Sequence, residues 1–239
     1  MNAIQKTARV AGVLFILATA AGLAGTGVLG SALKAPDFLS GLSMEGNRVL
    51  VSALLSFVAA CASAGIAIAL YPVLRKFNEG LALGSVGFRL IEAVFYTVGT
   101  LCLLSIFALS HEYAGVSGQV ASYTETLGRL LRTAKDLAGF ILAVMAFCIG
   151  GGLYYVVMYR SRLVPRWLSA WGLIALVLLF SAVLITLFDG EPYSVSGNLV
   201  FVALPIALQE MVLAVWLIVK GFNASAIPAL SAPAKAGRA

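Results

Sequence analysis

Six stretches of the chain carry almost no polar residue and run about as long as a membrane-crossing helix. They are Val10–Gly30, Val49–Leu74, Leu81–Leu109, Leu137–Tyr159, Trp167–Phe188 and Leu199–Val219. A helix rises roughly 1.5 Å per residue, so about 20 apolar residues cross a hydrocarbon core of about 30 Å. The runs are too long and too evenly apolar for the alternating strands of a membrane barrel. The pattern predicts an all-α, polytopic membrane protein, with six transmembrane helices in one bundle over residues 1–222. Residues 223–239, rich in Ala, Ser and Pro, are expected to be a disordered tail. The connection Ser110–Lys135 is the longest, and its latter half repeats Leu127, Leu130, Leu131 and Ala134 at helical spacing. That half reads either as a surface helix or as an outward extension of the fourth spanning helix.

Composition agrees with the pattern. Of the 239 residues, 61% are hydrophobic and 11% charged, against about 25% charged in a soluble domain. The first run resembles a secretory leader, with Lys6 and Arg9 before it and Ala18-Thr19-Ala20 inside it. Its apolar stretch nevertheless continues without a charge to Lys34, well past a leader core of about 7–15 residues. An uncleaved first helix is expected.

The net charge of +6 would suit a nucleic-acid binder, but its placement points elsewhere. Ten of the sixteen Lys and Arg fall in the N-terminal segment, the second and fourth loops and the tail; five fall in the alternate loops, and Arg89 lies inside a helix. Lys and Arg concentrate on the cytoplasmic side of membrane proteins, so both termini are expected inside, in a bacterial plasma membrane, with the lipid bilayer as solvent and no nucleic-acid partner. Tyr71, Tyr154, Tyr155, Tyr159, Trp167, Trp171 and Trp216 lie toward the same ends of their helices and read as an interfacial belt. Cys61, Cys102 and Cys148 fall in three different helices without CxxC spacing, which suits small packing residues.

Candidate chemistry is confined to a few polar residues inside the apolar runs. Ser85, Arg89, Glu92, Tyr96 and Gly99 follow one another at steps of four, three, four and three, which places them on one helix face. A charge at membrane depth costs roughly 2.5–3.5 kcal/mol on insertion scales, so Arg89 and Glu92 require a protected setting. Gln209 and Glu210 lie beyond Pro205 in the sixth run. Counting residues from Gly80 and from Lys220 puts Arg89 and Glu210 at similar depths, about 14 and 15 Å from the same face. The expectation is a buried Arg89–Glu92–Glu210 cluster with Gln209 and Tyr96 nearby, carrying net charge −1 if all three are ionised. Two roles fit it: a structural key for the bundle, or a proton, ion or substrate site.

Other motifs carry less. Gly115-Val116-Ser117-Gly118 matches an intramembrane serine-protease sequence, but it sits in a polar loop, and the only histidine, His111, is six residues upstream. Gly150-Gly151-Gly152 lies mid-helix without a lysine or a preceding strand, so close packing explains it better than phosphate binding. Asn223-Ala224-Ser225 fits the glycosylation pattern, yet a cytoplasmic tail would not meet the enzyme. No lysine stands in the bundle interior to form a Schiff base, and a single histidine cannot build a histidine metal site. No metal, cofactor or catalytic residue is expected, and a membrane-embedded enzyme is the weakest of the functional readings.

Phe88-Arg89-Leu90-Ile91-Glu92-Ala93 resembles the signature of the bacterial membrane proteins called the domain of unknown function 4386 family. Tyr159-Arg160-Ser161 with Val164-Pro165-Arg166-Trp167-Leu168 is similar to that family's short fourth loop. Leu204-Pro205, Gln209-Glu210, Ala214-Val215-Trp216-Leu217 and Lys220-Gly221 are similar to its last helix, and Ala8-Arg9-Val10-Ala11-Gly12-Val13-Leu14 to its opening. The resemblance implies a six-helix integral membrane protein without an assigned activity, and it marks Arg89, Glu92 and Glu210. It also implies a histidine at the outer start of the fourth helix, where this chain has Asp136. The functional readings are a ligand-sensing, scaffolding or accessory protein, with a small molecule or a partner membrane subunit as its partner, or a small secondary transporter.

Overall fold

The structure is a computed structural model and describes residues 3–35, 37–113, 115–189 and 197–226. Among these residues there is no strand. The helices are α1 (Ala3–Leu29), α2 (Phe38–Leu42), α3 (Gly46–Leu74), α4 (Glu79–Tyr113), α5 (Gly118–Asp136), α6 (Ala143–Ser161), α7 (Arg166–Phe188) and α8 (Gly197–Val219). Six are long and apolar enough to cross a membrane, with α5 and α6 counted as one.

Local chemistry accounts for several boundaries. Asn78 caps α4, its side-chain oxygen accepting the Leu81 N–H at 2.9 Å. Helix α6 stops where Arg162 turns left-handed at φ 56, and Pro165 sets the start of α7. Helices α5 and α6 are not separated by a loop. A π-helical turn, Leu137–Leu142, joins them into one rod from Gly118 to Ser161. The segment with two readings in the sequence is thus an extension of the spanning helix.

The spanning helices pack as a ring in which each touches its neighbour in sequence: α1 on α3, α3 on α4, α4 on α6, α6 on α7, and α7 on α8. Contact between α8 and α1 closes it. The short α3–α4 and α6–α7 loops join neighbours, as their length requires. Polarity is arranged inside out. Arg89 and Glu92 are 1% and 2% exposed, while Val94 and Val177 on the outer surface are 61% and 65% exposed. A water-soluble bundle would place these residues the other way round, so the ring is that of a multi-pass membrane protein.

Both described termini lie at one end of the ring, the near end, where Gln5 Nε2 donates to the Phe222 carbonyl at 3.3 Å. The Asn223 N–H donates to the Leu163 carbonyl at 2.8 Å, Phe222 is buried, and Ala224–Ala226 form a single 3-10 turn. The segment expected to be disordered from residue 223 is therefore anchored for its first four residues. The Asn223 hydrogen bonds to the Arg162 and Leu163 carbonyls of the α6–α7 loop explain this, and the remainder, 227–239, lies outside the described residues. At the far end, α2, α5 and the ends of α3 and α4 build a second small core around Leu33, Phe38, Leu39, Leu42, Val49, Leu103 and Ile106.

Two expectations need correction. Tyr154 and Tyr155 are fully buried at the centre of the ring and do not belong to an interfacial belt; their hydroxyls find partners there, which an inward-facing tyrosine requires. Cys61 is exposed on the ring's outer surface and so is not an interior packing residue, whereas Cys148 is buried.

Candidate functional site

The site is built outward from Arg89. Its guanidinium sits on the inner face of α4, with Nη1 donating to Glu92 Oε2 at 2.8 Å one turn along the same helix. The other carboxylate oxygen of Glu92 accepts from Ser63 Oγ of α3 at 2.7 Å. Arg89 Nη2 reaches across the ring to the Tyr154 hydroxyl of α6 at 3.4 Å and to Glu210 Oε1 of α8 at 3.8 Å. The Phe147 ring of α6 lies 4.7 Å from the guanidinium carbon, close enough for a cation–π contact. Four helices therefore meet at one charged centre, although α4 and α8 are not adjacent in the ring.

A glycine makes this approach possible. A Cβ on Gly150 of α6 would stand 3.1 Å from Arg89 Cγ and 3.2 Å from its backbone nitrogen, so a side chain there would push α6 away from the cation. The glycine run read from the sequence as a packing device thus sits directly against the site.

The structure brings Arg89, Glu92 and Glu210 together. Gln209 lies beside them but makes a separate junction: its Oε1 accepts from the Tyr155 hydroxyl at 2.5 Å, and its Nε2 donates to the Leu168 carbonyl at 3.0 Å. It thereby ties α6, α7 and α8 together. Tyr96 shares the α4 face but is partly exposed, and among the described residues its hydroxyl has no hydrogen-bond partner in the cluster. Asp136 stands apart, paired with Lys135 at 2.9 Å. Gly99 packs against Gly139 and the Lys135 carbonyl, and Gly99 is ten residues, about 15 Å, along α4 from Arg89.

Ser63, Phe147, Tyr154 and Tyr155 complete the centre; the sequence marked neither Ser63 nor Phe147, and it placed the two tyrosines at an interface instead. Several buried polar atoms have no hydrogen-bond partner among the described residues: Arg89 Nε, Ser85 Oγ, Ser169 Oγ and Glu210 Oε1. Two carboxylates face one guanidinium, and the second of them is held to the cation by proximity at 3.8 Å rather than by a hydrogen bond from it. Such a centre can fix helices in register, and its loosely held carboxylate can also serve as a proton or cation site.

Searches among curated proteins and among solved structures return no match. The model of one family, described as Domain of unknown function (DUF4386), matches residues 10–221. That span runs from the first membrane helix to the end of the last and includes every member of the charged centre, so the chain belongs to the DUF4386 family.

Proposed function

We propose that this chain is an accessory or scaffolding protein of the plasma membrane, with both termini in the cytoplasm and a helix ring keyed by the Arg89 centre. One observation carries the reading. A fully buried guanidinium makes its contacts with α4, α6 and α8 at once, and through Glu92 the network extends to α3. Replacing a member by an apolar residue leaves its partner buried and uncompensated, so the centre penalises any other arrangement of these helices. Neither of the two clefts described, one at the far end beside Asp37 and Glu125 and one on the outer surface beside Tyr71, is lined by a residue of this centre.

The orientation is supported by the charges at the two ends. At the far end Arg48 pairs with Glu45, Arg129 with Glu125 and Lys135 with Asp136. At the near end, Glu79 is the one acid among the basic residues of the second and fourth loops.

A stability cycle tests the keying role. Arg89→Met is expected to cost about 3–5 kcal/mol, and Arg89→Met with Glu92→Leu, which leaves Glu210 as the one uncompensated carboxyl of the centre, to recover part of it. Thermal unfolding in detergent reads both, and a double variant no more stable than the single removes the keying role. A second reading, a small proton-coupled transporter, is favoured by the unbonded Glu210 Oε1 and by Pro205, which frees the Phe201 carbonyl one turn earlier in α8. Under that reading Glu210→Gln folds normally and abolishes a proton flux measured in vesicles; an unchanged flux eliminates it.

A further inference from the structure

A cleft of about 210 Å³ opens on the outer surface of the ring between α3 and α4, lined by Ile68, Tyr71, Leu83 and Val86. Ile68 and Leu83 are more than half exposed. Gly87, next to Val86, has nothing within 4 Å of where a Cβ would stand, so the cleft is not closed by a neighbouring helix. Its walls face hydrocarbon, and its volume exceeds a single methylene group several times over.

The upper rim is charged. Arg75 lies one turn beyond Tyr71, with its guanidinium carbon 5.7 Å from the Tyr71 ring centroid. The cation is thus held over the aromatic wall of the cleft. Lys76 follows in the same turn, and both side chains are exposed. Among the described residues neither makes an ion pair with a carboxylate, although Glu79 opens the next helix a few residues on. From Ile68 to Arg75 is seven residues, about 10 Å along the helix. An apolar slot with Arg75 over its aromatic wall and Lys76 next in the chain, at the cytoplasm-facing end expected from the charge distribution, complements a molecule with an anionic head and a hydrocarbon chain.

We propose that this cleft is a binding site for an anionic phospholipid, with an acyl chain against Ile68, Tyr71, Leu83 and Val86 and the phosphate on Arg75 and Lys76. A zwitterionic lipid would fill the slot with equal ease but gain little from the cations. Basic residues near a bilayer surface each contribute roughly 1 kcal/mol toward anionic headgroups, which is about fivefold in affinity. The site is independent of the Arg89 centre and requires only that the chain span the membrane.

The experiment reconstitutes the full chain in phosphatidylcholine vesicles containing a trace of chain-labelled, spin-labelled phosphatidylglycerol or spin-labelled phosphatidylcholine. The motionally restricted fraction is then compared by electron spin resonance. Wild type is expected to select phosphatidylglycerol about fivefold or more. Arg75→Gln with Lys76→Gln should reduce the selectivity to near unity while keeping the restricted component. Val86→Trp, which fills the slot, should remove the selective component while circular dichroism and elution volume stay those of wild type. Equal restriction of the two lipids by wild type overturns the proposal, as does selectivity that survives either variant. Should Val86→Trp fail to fold, Leu83→Phe fills the same slot from the exposed side and is read in the same way.

Discussion

Arg89 touches Glu92, Phe147, Tyr154 and Glu210 at once, and its substitutions separate charge from shape. Arg89→Lys keeps the charge but loses the planar fork that reaches Glu92, Tyr154 and Glu210 together. It is expected to be destabilising, by less than Arg89→Met, in thermal unfolding. Tyr155→Phe leaves the Gln209 Oε1 buried without its donor and should cost about 1–3 kcal/mol, whereas Tyr159→Phe, on a part-exposed residue, should be close to neutral. Gly150→Val puts a branched Cβ 3.1 Å from Arg89 Cγ and 3.1 Å from Phe88 Cβ, a loss of about 1–3 kcal/mol or more. Arg89, Glu92 and Glu210 were legible in the sequence because a charge inside an apolar run is conspicuous. Ser63 was not, since nothing in the sequence sets it apart from Ser52 and Ser56 on the same helix. Tyr154 and Tyr155 misled for a physical reason: tyrosines a turn or two from a helix end suit an interface as well as an interior, and only the packing of neighbouring helices decides.

Among the elements, the π-helical turn Leu137–Leu142 has the most specific effect. An i→i+5 turn holds one residue more than an α-helical one, so it rotates everything on its far side by about 100° relative to a straight helix. That rotation aims Gly128 of α5 at Leu39, whose side-chain carbons lie 2.9–3.3 Å from where a Cβ would be. It also sets Gly139 against Gly99 of α4, backbone to backbone. Deleting Leu137 is expected to restore a regular helix, turn Gly128 away from Leu39 and leave α5 accessible, seen as new proteolytic cleavage between residues 118 and 136. Helix boundaries were largely readable, because hydropathy marks them and Asn78 and Pro165 punctuate them. The continuity of α5 with α6 was not, because a polar amphipathic stretch followed by an apolar one reads as two elements until backbone hydrogen bonds join them.

For the whole molecule, the rod from Gly118 to Ser161 is 44 residues long, about 66 Å at helical rise against a hydrocarbon core of about 30 Å. Even at a tilt of about 40° roughly a third of the rod, at its far end, stands clear of the hydrocarbon core. A membrane-impermeant maleimide should therefore label Leu127→Cys in intact cells, while Asn78→Cys in the near-end loop should react only after permeabilisation. The reverse pattern would invert the proposed orientation. The closed ring has one more consequence, for the order in which the protein is made. While the ribosome is still producing the last helix, Ser63, Arg89, Glu92 and Tyr154 have already entered the translocon on earlier helices, so the guanidinium can be neutralised before Glu210 exists. Helix α8 then arrives with a second carboxylate and a proline, and it must seal the bundle against both the first helix and the seventh. Expressed as two pieces cut between α7 and α8, the chain should still assemble, because nothing in the five earlier spans depends on α8 for charge balance.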